Sequence, residues 1–137
     1  MKKTFTVVLA ITFIFSIWWS MNIPVFYRYS KNVEVYSLNN SSNAKIDFCT
    51  SIQYKFRFFK VGESCTIEKQ NFDLKEFIDY YNAKIIFTET TSFGNSYYMY
   101  SKKIAYSKSI NGKIINLHLL INQNKIVMGT PIIYGSY

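Results

Sequence analysis

The chain has 137 residues, of which 49% are hydrophobic and 19% aromatic, so the composition excludes a disordered protein and the length allows one domain with a single core. Its 16 Lys and Arg against 8 Asp and Glu give a net charge of +8, and no acid follows Glu89. The C-terminal third is purely cationic and therefore favours anionic partners.

The first predicted element is an apolar segment, residues 5–21, which carries no charge and lies just after Lys2 and Lys3. A membrane-spanning helix needs about 20 apolar residues, and the segment reaches that length if it continues to Val25. A secretory signal has the same basic start and apolar middle, so hydropathy alone does not separate an anchor from a signal.

The flanks of this segment favour an anchor that stays uncleaved. A cleavage site needs two small residues separated by one position, yet Ser16 and Ser20 have Ile14 and Trp18 two positions upstream. Trp18 and Trp19 at the far end of the segment are typical of residues at a membrane interface. The anchor is therefore the preferred interpretation, and removal of a secretory signal is the alternative.

The two N-terminal lysines point the N-terminus into the cytoplasm. We therefore predict a membrane anchor, or an uncleaved signal, over residues 1–25 and a single extracytoplasmic α+β domain over residues 26–137. The expected location is the cell membrane, in a single-pass arrangement, or the exterior if the signal is cleaved.

Three strands are predicted ahead of a helix. Alternation of apolar and polar residues over 44–59 is typical of a strand, with a break near Cys49. Gly62 predicts a turn over residues 61–63. The three predicted strands cover residues 34–38, 44–59 and 64–69, and an Asn/Ser-rich loop covers 39–43.

The helix has the clearest start and end signals in the chain. Asp73 is placed as its N-cap, with Glu76 positioned to bond back to the cap and with Phe72 and Phe77 spaced as a hydrophobic staple. Asn82 suits the left-handed residue that ends a helix. The apolar residues at helical spacing, which predict one face packed on a sheet, are Leu74, Phe77, Ile78 and Tyr81.

Four strands are predicted after the helix, over residues 84–90, 96–109, 113–122 and 125–134. Asn111-Gly112 predicts a hairpin, because both residues tolerate positive φ. Pro131 lacks an amide proton, so the last strand ends there or lies at an edge. The predicted fold class is α+β: an N-terminal transmembrane or signal helix, then a largely antiparallel sheet packed on one amphipathic helix, in the order β-β-β-α-β-β-β-β.

The closing sequence, INLHLLINQNKIVMGTPIIYGSY from Ile115 onward, resembles the last hairpin of the YwmB family of Firmicute extracytoplasmic proteins. That hairpin has an Asn-Leu-x-apolar strand and a Val-x-x-Gly-Thr-Pro-Ile strand, and here one residue fewer lies between Val127 and Gly129. The resemblance implies half of a TATA-binding-protein-like α+β fold in a secreted or membrane-tethered protein. It implies no catalytic residue, and an outward-facing domain excludes nucleic acid as the partner.

No catalytic, cofactor or metal site is predicted. His118 is the only histidine, so any catalytic mechanism that needs a histidine must use it. Nothing in the sequence has the spacing of metal ligands. His118 shares a strand face with Asn116, which favours a polar residue with a structural role. The acids near the helix start, including Asp79, are explained by the cap and the helix dipole.

Cys49 and Cys65 lie on strands that are predicted to be neighbours, in a compartment that permits a disulfide. The predicted register does not require the bond. The sequence leaves two alternatives: a disulfide between the two cysteines, or two separate buried thiols.

A tyrosine- and lysine-rich segment is the one candidate binding face. Strand alternation puts Tyr98 and Tyr100 on one side and Tyr97 and Met99 on the other, so one pair is expected in the core and one outward. The lysines expected to join Tyr98 and Tyr100 on that face are Lys102, Lys103, Lys108, Lys113 and Lys125.

These features together favour a membrane-anchored, extracytoplasmic, non-enzymatic binding domain of the bacterial cell envelope. Its expected partner is an envelope protein or an anionic wall polymer. One alternative is an envelope enzyme or enzyme inhibitor that uses His118, and another is a structural subunit of a membrane complex.

Overall fold

The computed structural model describes residues 2–37, 45–57, 59–70 and 72–134, with the backbone alone described for Lys2, Lys3, Met21 and Lys45. The predicted loop 39–43 and the end of the first predicted strand, Leu38, lie outside the described residues. The helices are α1 (Lys2–Met21), α2 (Ser51–Lys55) and α3 (Leu74–Tyr81). The strands are β1 (Asn32–Ser37), β2 (Lys45–Thr50), β3 (Lys60–Glu68), β4 (Ala83–Thr91), β5 (Gly94–Ser101), β6 (Lys108–Ile110), β7 (Lys113–Ile115), β8 (Leu117–Ile121) and β9 (Lys125–Thr130).

The N-terminal apolar segment forms α1, a helix whose described side chains, Thr4 to Ser20, are almost all exposed. Thr12 and Ser16 each donate a side-chain hydrogen bond to the carbonyl four residues earlier, which satisfies their hydroxyls within the helix. Within the described side chains, no helix meets both the length and the hydropathy needed to cross a membrane.

Seven strands form one antiparallel sheet, in the order β2-β1-β3-β9-β8-β5-β4. The remaining two strands, β6 and β7, form a separate hairpin. The α+β class with a largely antiparallel sheet is therefore confirmed.

The predicted helix is confirmed as α3. Asp73 accepts hydrogen bonds from the amides of Lys75 (2.7 Å) and Glu76 (3.1 Å), and Asn82 ends the helix at φ 47°. The rings of Phe72 and Phe77 lie 5.6 Å apart, as a hydrophobic staple requires. The reciprocal bond predicted for Glu76 is wrong, because its carboxylate pairs with another residue.

That partner is Arg28, which precedes β1. Arg28 also lies over the ring of Tyr80, at 4.5 Å from the ring centroid. The segment between α1 and β1 is therefore held against α3 by an ion pair and a cation–π contact.

The predicted strand over 44–59 is wrong in its second half, where residues 51–55 form α2. Thr50 caps this short helix through a reciprocal pair: the Thr50 side chain accepts from the Gln53 amide at 3.4 Å, and the Gln53 side chain accepts from the Thr50 amide at 2.9 Å. The predicted turn at 61–63 is also wrong, because Gly62 lies inside β3. A Cβ at Gly62 would sit 2.1 Å from the Thr130 carbonyl oxygen, so this glycine permits a close approach of two strands.

The strands near the C-terminus are shorter than predicted. The hairpin at Asn111-Gly112 is confirmed, with φ of 49° and 75°, and it joins β6 to β7. Residues 102–107 and Asn116 interrupt the long predicted runs. The last strand, β9, ends at Thr130, directly before Pro131, as one of the two predicted alternatives required.

The core lies between one face of the sheet and a layer made of α3 and the segment that follows α1. Phe26 from that segment and Phe77 from α3 are fully buried in it. From the sheet, the fully buried apolar residues in this cluster are Val35, Met99, Leu117, Leu119, Ile126 and Met128. The opposite face of the sheet is partly covered by residues 131–134, whose Ile133 lies over Gly129.

Candidate functional site

The segment that joins α1 to the sheet is held in place by a buried carboxylate. The backbone amide of Phe26 donates to Glu63 Oε1 at 3.1 Å, and the hydroxyl of Tyr81 donates to the Val25 carbonyl at 2.8 Å. Glu63 is 1% exposed. Because β3 supplies the carboxylate and α3 supplies the tyrosine, α1 leaves the domain from a fixed position.

Glu63 is surrounded by titratable side chains. Burial raises the pKa of its carboxyl, opposed by hydrogen bonding from Tyr54 and from the Phe26 amide. Lys60 lies over the Tyr54 ring at 3.7 Å, and burial lowers the pKa of its amine. Glu63 Oε2 has no hydrogen-bonding partner among the described residues. The sequence did not single out this cluster, because Glu63 was placed in a turn rather than facing the core from a strand.

The end of α1 contacts α2 and the loop after it. The ring centroids of Trp18 and Trp19 each lie 6.0 Å from that of Phe56. Lys55 Nζ lies 3.8 Å from the centroid of the Trp19 ring and donates to the Trp19 carbonyl at 3.2 Å. The two tryptophans that sequence analysis placed at a membrane interface therefore lie directly against the domain.

His118 is inaccessible where it lies on β8. It is 2% exposed, its Nδ1 accepts from the Ile133 amide at 3.2 Å, and its ring stacks on Tyr98 with 4.2 Å between centroids. Nε2 is buried without a partner in the described part of the chain. Burial lowers the pKa of His118 to about 4, so the ring is neutral at pH 7. This geometry gives His118 a structural position and leaves no room for a substrate beside it.

The two cysteines are both free and buried, so the fold does not take the disulfide alternative. The reason is the strand order, because β1 lies between the strands that carry them. Cys49 pairs with Val33 on one side of β1, while Ser64, next to Cys65, pairs with Glu34 on the other. Two strand spacings amount to about 10 Å, whereas a disulfide needs Cα atoms within about 7 Å.

The thiols themselves lie along an open groove of about 500 Å³ that both of them line. Cys65 Sγ is 4.0 Å from Met128 Sδ, and burial raises the pKa of Cys65 to about 12. A protonated, buried thiol is a poor nucleophile.

The predicted tyrosine pair divides between two roles. Tyr97 and Met99 face the core, and Tyr98 and Tyr100 face the other way, as the alternation requires. Tyr98, however, is sandwiched between Phe87 and His118, with centroid distances of 4.3 and 4.2 Å. Of the pair, Tyr100 is the exposed ring, at 37%.

Several of the predicted lysines make contacts within the domain. Lys103 Nζ donates to the Tyr80 carbonyl at 2.6 Å, where it satisfies the end of α3. Lys108 lies 5.0 Å from the centroid of the Tyr134 ring, and Lys113 lies 5.5 Å from that of Phe87.

The predicted face is not continuous. Ile121 of β8 pairs with Asn95 of β5 on one side and with Ile126 of β9 on the other. Lys125, which precedes Ile126, therefore lies at the end of the sheet where β5 begins. Lys102 follows the other end of β5. Seven residues of strand put more than about 20 Å between these two exposed lysines.

No protein-family model, curated protein or solved structure matches this chain. The resemblance of the closing hairpin to the YwmB family therefore stays a prediction.

Proposed function

We propose that the protein is a single-pass membrane protein whose helix α1 holds a binding domain on the outer side of a bacterial membrane. The observation that carries this proposal is the surface of α1. No charged residue occurs between Thr4 and Ser20, and large apolar side chains such as Phe5 and Phe13 are each 68% exposed. From Thr4 to Met21 the helix has 18 uncharged residues and is about 27 Å long, which is close to the thickness of a hydrocarbon core.

The contacts at the end of α1 favour a helix that is retained. A signal peptide is discarded after export, so it needs no packing partner in the mature domain. Trp18 and Trp19 instead pack on Phe56, and Lys55 bonds to the Trp19 backbone.

Binding of an anionic envelope component is the function that the domain supports best. The domain presents cations after Glu89 with no acid among them, and Lys102 and Lys125 are exposed. The histidine-dependent enzyme has less support, because His118 is 2% exposed and is covered by the Tyr98 ring and the backbone of Ile133. A structural subunit of a membrane complex would use the same anchor and is distinguished by co-purification of a defined protein.

We also propose that the sheet and α3 form half of a TATA-binding-protein-like fold. The β8–β9 hairpin carries the residues that resemble the YwmB family, and it lies at the centre of an antiparallel sheet backed by α3. This arrangement is compatible with half of a TATA-binding-protein-like fold.

The anchor is tested by arginine substitutions at two depths of α1. Leu9→Arg combined with Phe13→Arg puts charges at the centre of the helix, where each costs about 3 kcal/mol to insert. We expect this variant to be lost from the membrane fraction or released by alkaline extraction. Ser20→Arg is the matched control, and we expect it to stay, because an arginine at the membrane interface reaches the headgroups.

Equal membrane retention of the central and terminal arginine variants would contradict the anchor. So would a mature wild-type protein whose N-terminal sequence begins near Asn22.

Binding is tested with the full chain in nanodiscs of uncharged lipid and with poly(glycerol phosphate) as the probe. We expect binding at low salt that weakens as salt rises, because screened cations attract a polyanion less. Lys102→Glu should weaken binding, whereas Lys75→Glu on α3 should change it less. Absence of binding at low salt would rule out this class of partner.

A further inference from the structure

Three large apolar side chains are exposed on α2 and on the loop after it, and we call them the aromatic apron: Ile52, Phe56 and Phe59. Their exposed fractions are 63%, 53% and 82%. Water-facing apolar side chains in such a group mark an interaction surface.

The backbone of Phe59 has an unusual conformation. Its φ is 61°, in the left-handed region that a bulky side chain rarely adopts. Strain of this kind persists where the surroundings hold it, and it concentrates at functional positions. Phe59 therefore presents its ring to solvent from an unfavourable backbone conformation.

The aromatic apron begins where α1 ends. Phe56 contacts both Trp18 and Trp19, with 6.0 Å between ring centroids in each case, and Lys55 bonds to the Trp19 carbonyl. Ile52 and Lys55 also line a cavity of about 200 Å³ together with Trp19. Whatever phase surrounds the last turn of α1 must therefore surround Phe56 as well.

The charges beside the aromatic apron suit a lipid headgroup layer. Residues 45–60 contain four cations and a single acid, Asp47, and Arg57 Nη1 lies 3.1 Å from Asp47 Oδ2. Lysine and arginine beside exposed aromatic rings are typical of surfaces that lie in a membrane interface.

We propose that the aromatic apron inserts into the headgroup layer of the membrane that holds α1, so that the domain lies on the bilayer in a fixed orientation. This inference rests on the proposed function, because it needs α1 in the membrane. The partner that we propose for the aromatic apron is the lipid interface. Binding of a second copy of the chain, or of another protein, is the competing outcome of the test.

The test uses the full chain in vesicles that contain lipids brominated near the headgroup end of the acyl chains, which quench nearby tryptophan. Trp18→Phe and Trp19→Phe remove the native tryptophans, and Phe59→Trp then reports on the aromatic apron. We expect its emission to shift to shorter wavelength and to lose intensity in brominated vesicles, because insertion reaches about 5–10 Å into the boundary.

Phe93→Trp in the same background is the matched control. Phe93 is also exposed, at 56%, but it lies in the turn between β4 and β5, and β4 is the sheet edge opposite β2. Phe59 directly precedes β3, and four strand spacings, roughly 19 Å, separate β3 from β4. We expect equal emission of Phe93→Trp in brominated and ordinary vesicles.

Quenching of the native tryptophans in the wild-type protein tests the anchor separately from the insertion of the aromatic apron. Quenching of native Trp18 and Trp19 without quenching of Phe59→Trp would overturn the inference and leave the anchor intact. Absence of quenching in the wild type would overturn both. A blue-shifted but unquenched Phe59→Trp, in a particle that contains two copies of the chain, would assign the aromatic apron to self-association instead.

Discussion

At the scale of the residue, His118 and Glu63 are two buried titratable groups whose effects on stability have opposite signs. The pKa of His118 is lowered by burial to about 4, so the unfolded chain binds its proton first as the pH falls. His118 therefore destabilises the fold as the pH drops from about 6.5 to about 4. The pKa of Glu63 is raised, so its contribution to stability falls as the pH rises above about 4.5.

His118→Asn isolates the histidine effect. Asn keeps an acceptor for the Ile133 amide but does not titrate. Between pH 7 and pH 4, we expect the wild type to lose about 3 kcal/mol more stability than the variant, because the shift is about 2.5 pKa units. Urea unfolding of both full chains in detergent measures this difference, in which the Glu63 effect cancels. A difference that does not change with pH would contradict a neutral, buried His118.

Sequence alternation predicted the face of His118 correctly but could not predict its burial. The cover over His118 comes from Ile133, and Tyr98 closes the ring from the neighbouring strand. The first contact depends on how the chain returns after β9 and the second on the pairing of β5 with β8, and neither leaves a local signal in the sequence.

At the scale of the element, α3 and α2 show when local signals suffice. The cap, staple and apolar stripe of α3 all lie within a few residues of each other, so the sequence predicted it. In α2 the capping pair Thr50 and Gln53 was also present in the sequence. The apolar residues at alternate positions from Ile46 to Phe56 resemble a strand and masked it, although a break near Cys49 was predicted.

Gly62 lies in a part of strand β3 that the local sequence signal did not predict. Its conformation does not require glycine, but the neighbouring backbone of Thr130 does, because a Cβ would meet its oxygen at 2.1 Å. From the sequence alone, such a glycine predicts a turn.

Gly62→Ala should therefore push β3 and β9 apart. We expect a loss of roughly 1–3 kcal/mol in the free energy of unfolding, as overpacking typically costs. Gly112→Asn is the control, since nothing lies within 4 Å of a Cβ there and Asn tolerates its φ of 75°. Thermal unfolding followed by circular dichroism compares the two, and equal melting temperatures would contradict the close approach.

At the scale of the whole molecule, the strand order decides what the sequence could not. The insertion of β1 between β2 and β3 separates the two cysteines, and the placement of β9 and β5 separates the predicted lysines. Strand pairs that are distant in sequence have no turn between them to predict. The proposed membrane anchor, in contrast, rests on a contiguous apolar segment that is visible in the sequence itself.

The central claim, a tethered domain on the outer side of the membrane, is tested most directly by cysteine labelling of whole cells. Ser92→Cys puts a thiol in the exposed turn between β4 and β5, while native Cys49 and Cys65, 3% and 2% exposed, give little background. A membrane-impermeant maleimide should label this variant in intact bacterial cells, and the labelled protein should stay in the membrane fraction. Labelling that occurs only after the cells are lysed would contradict the claim.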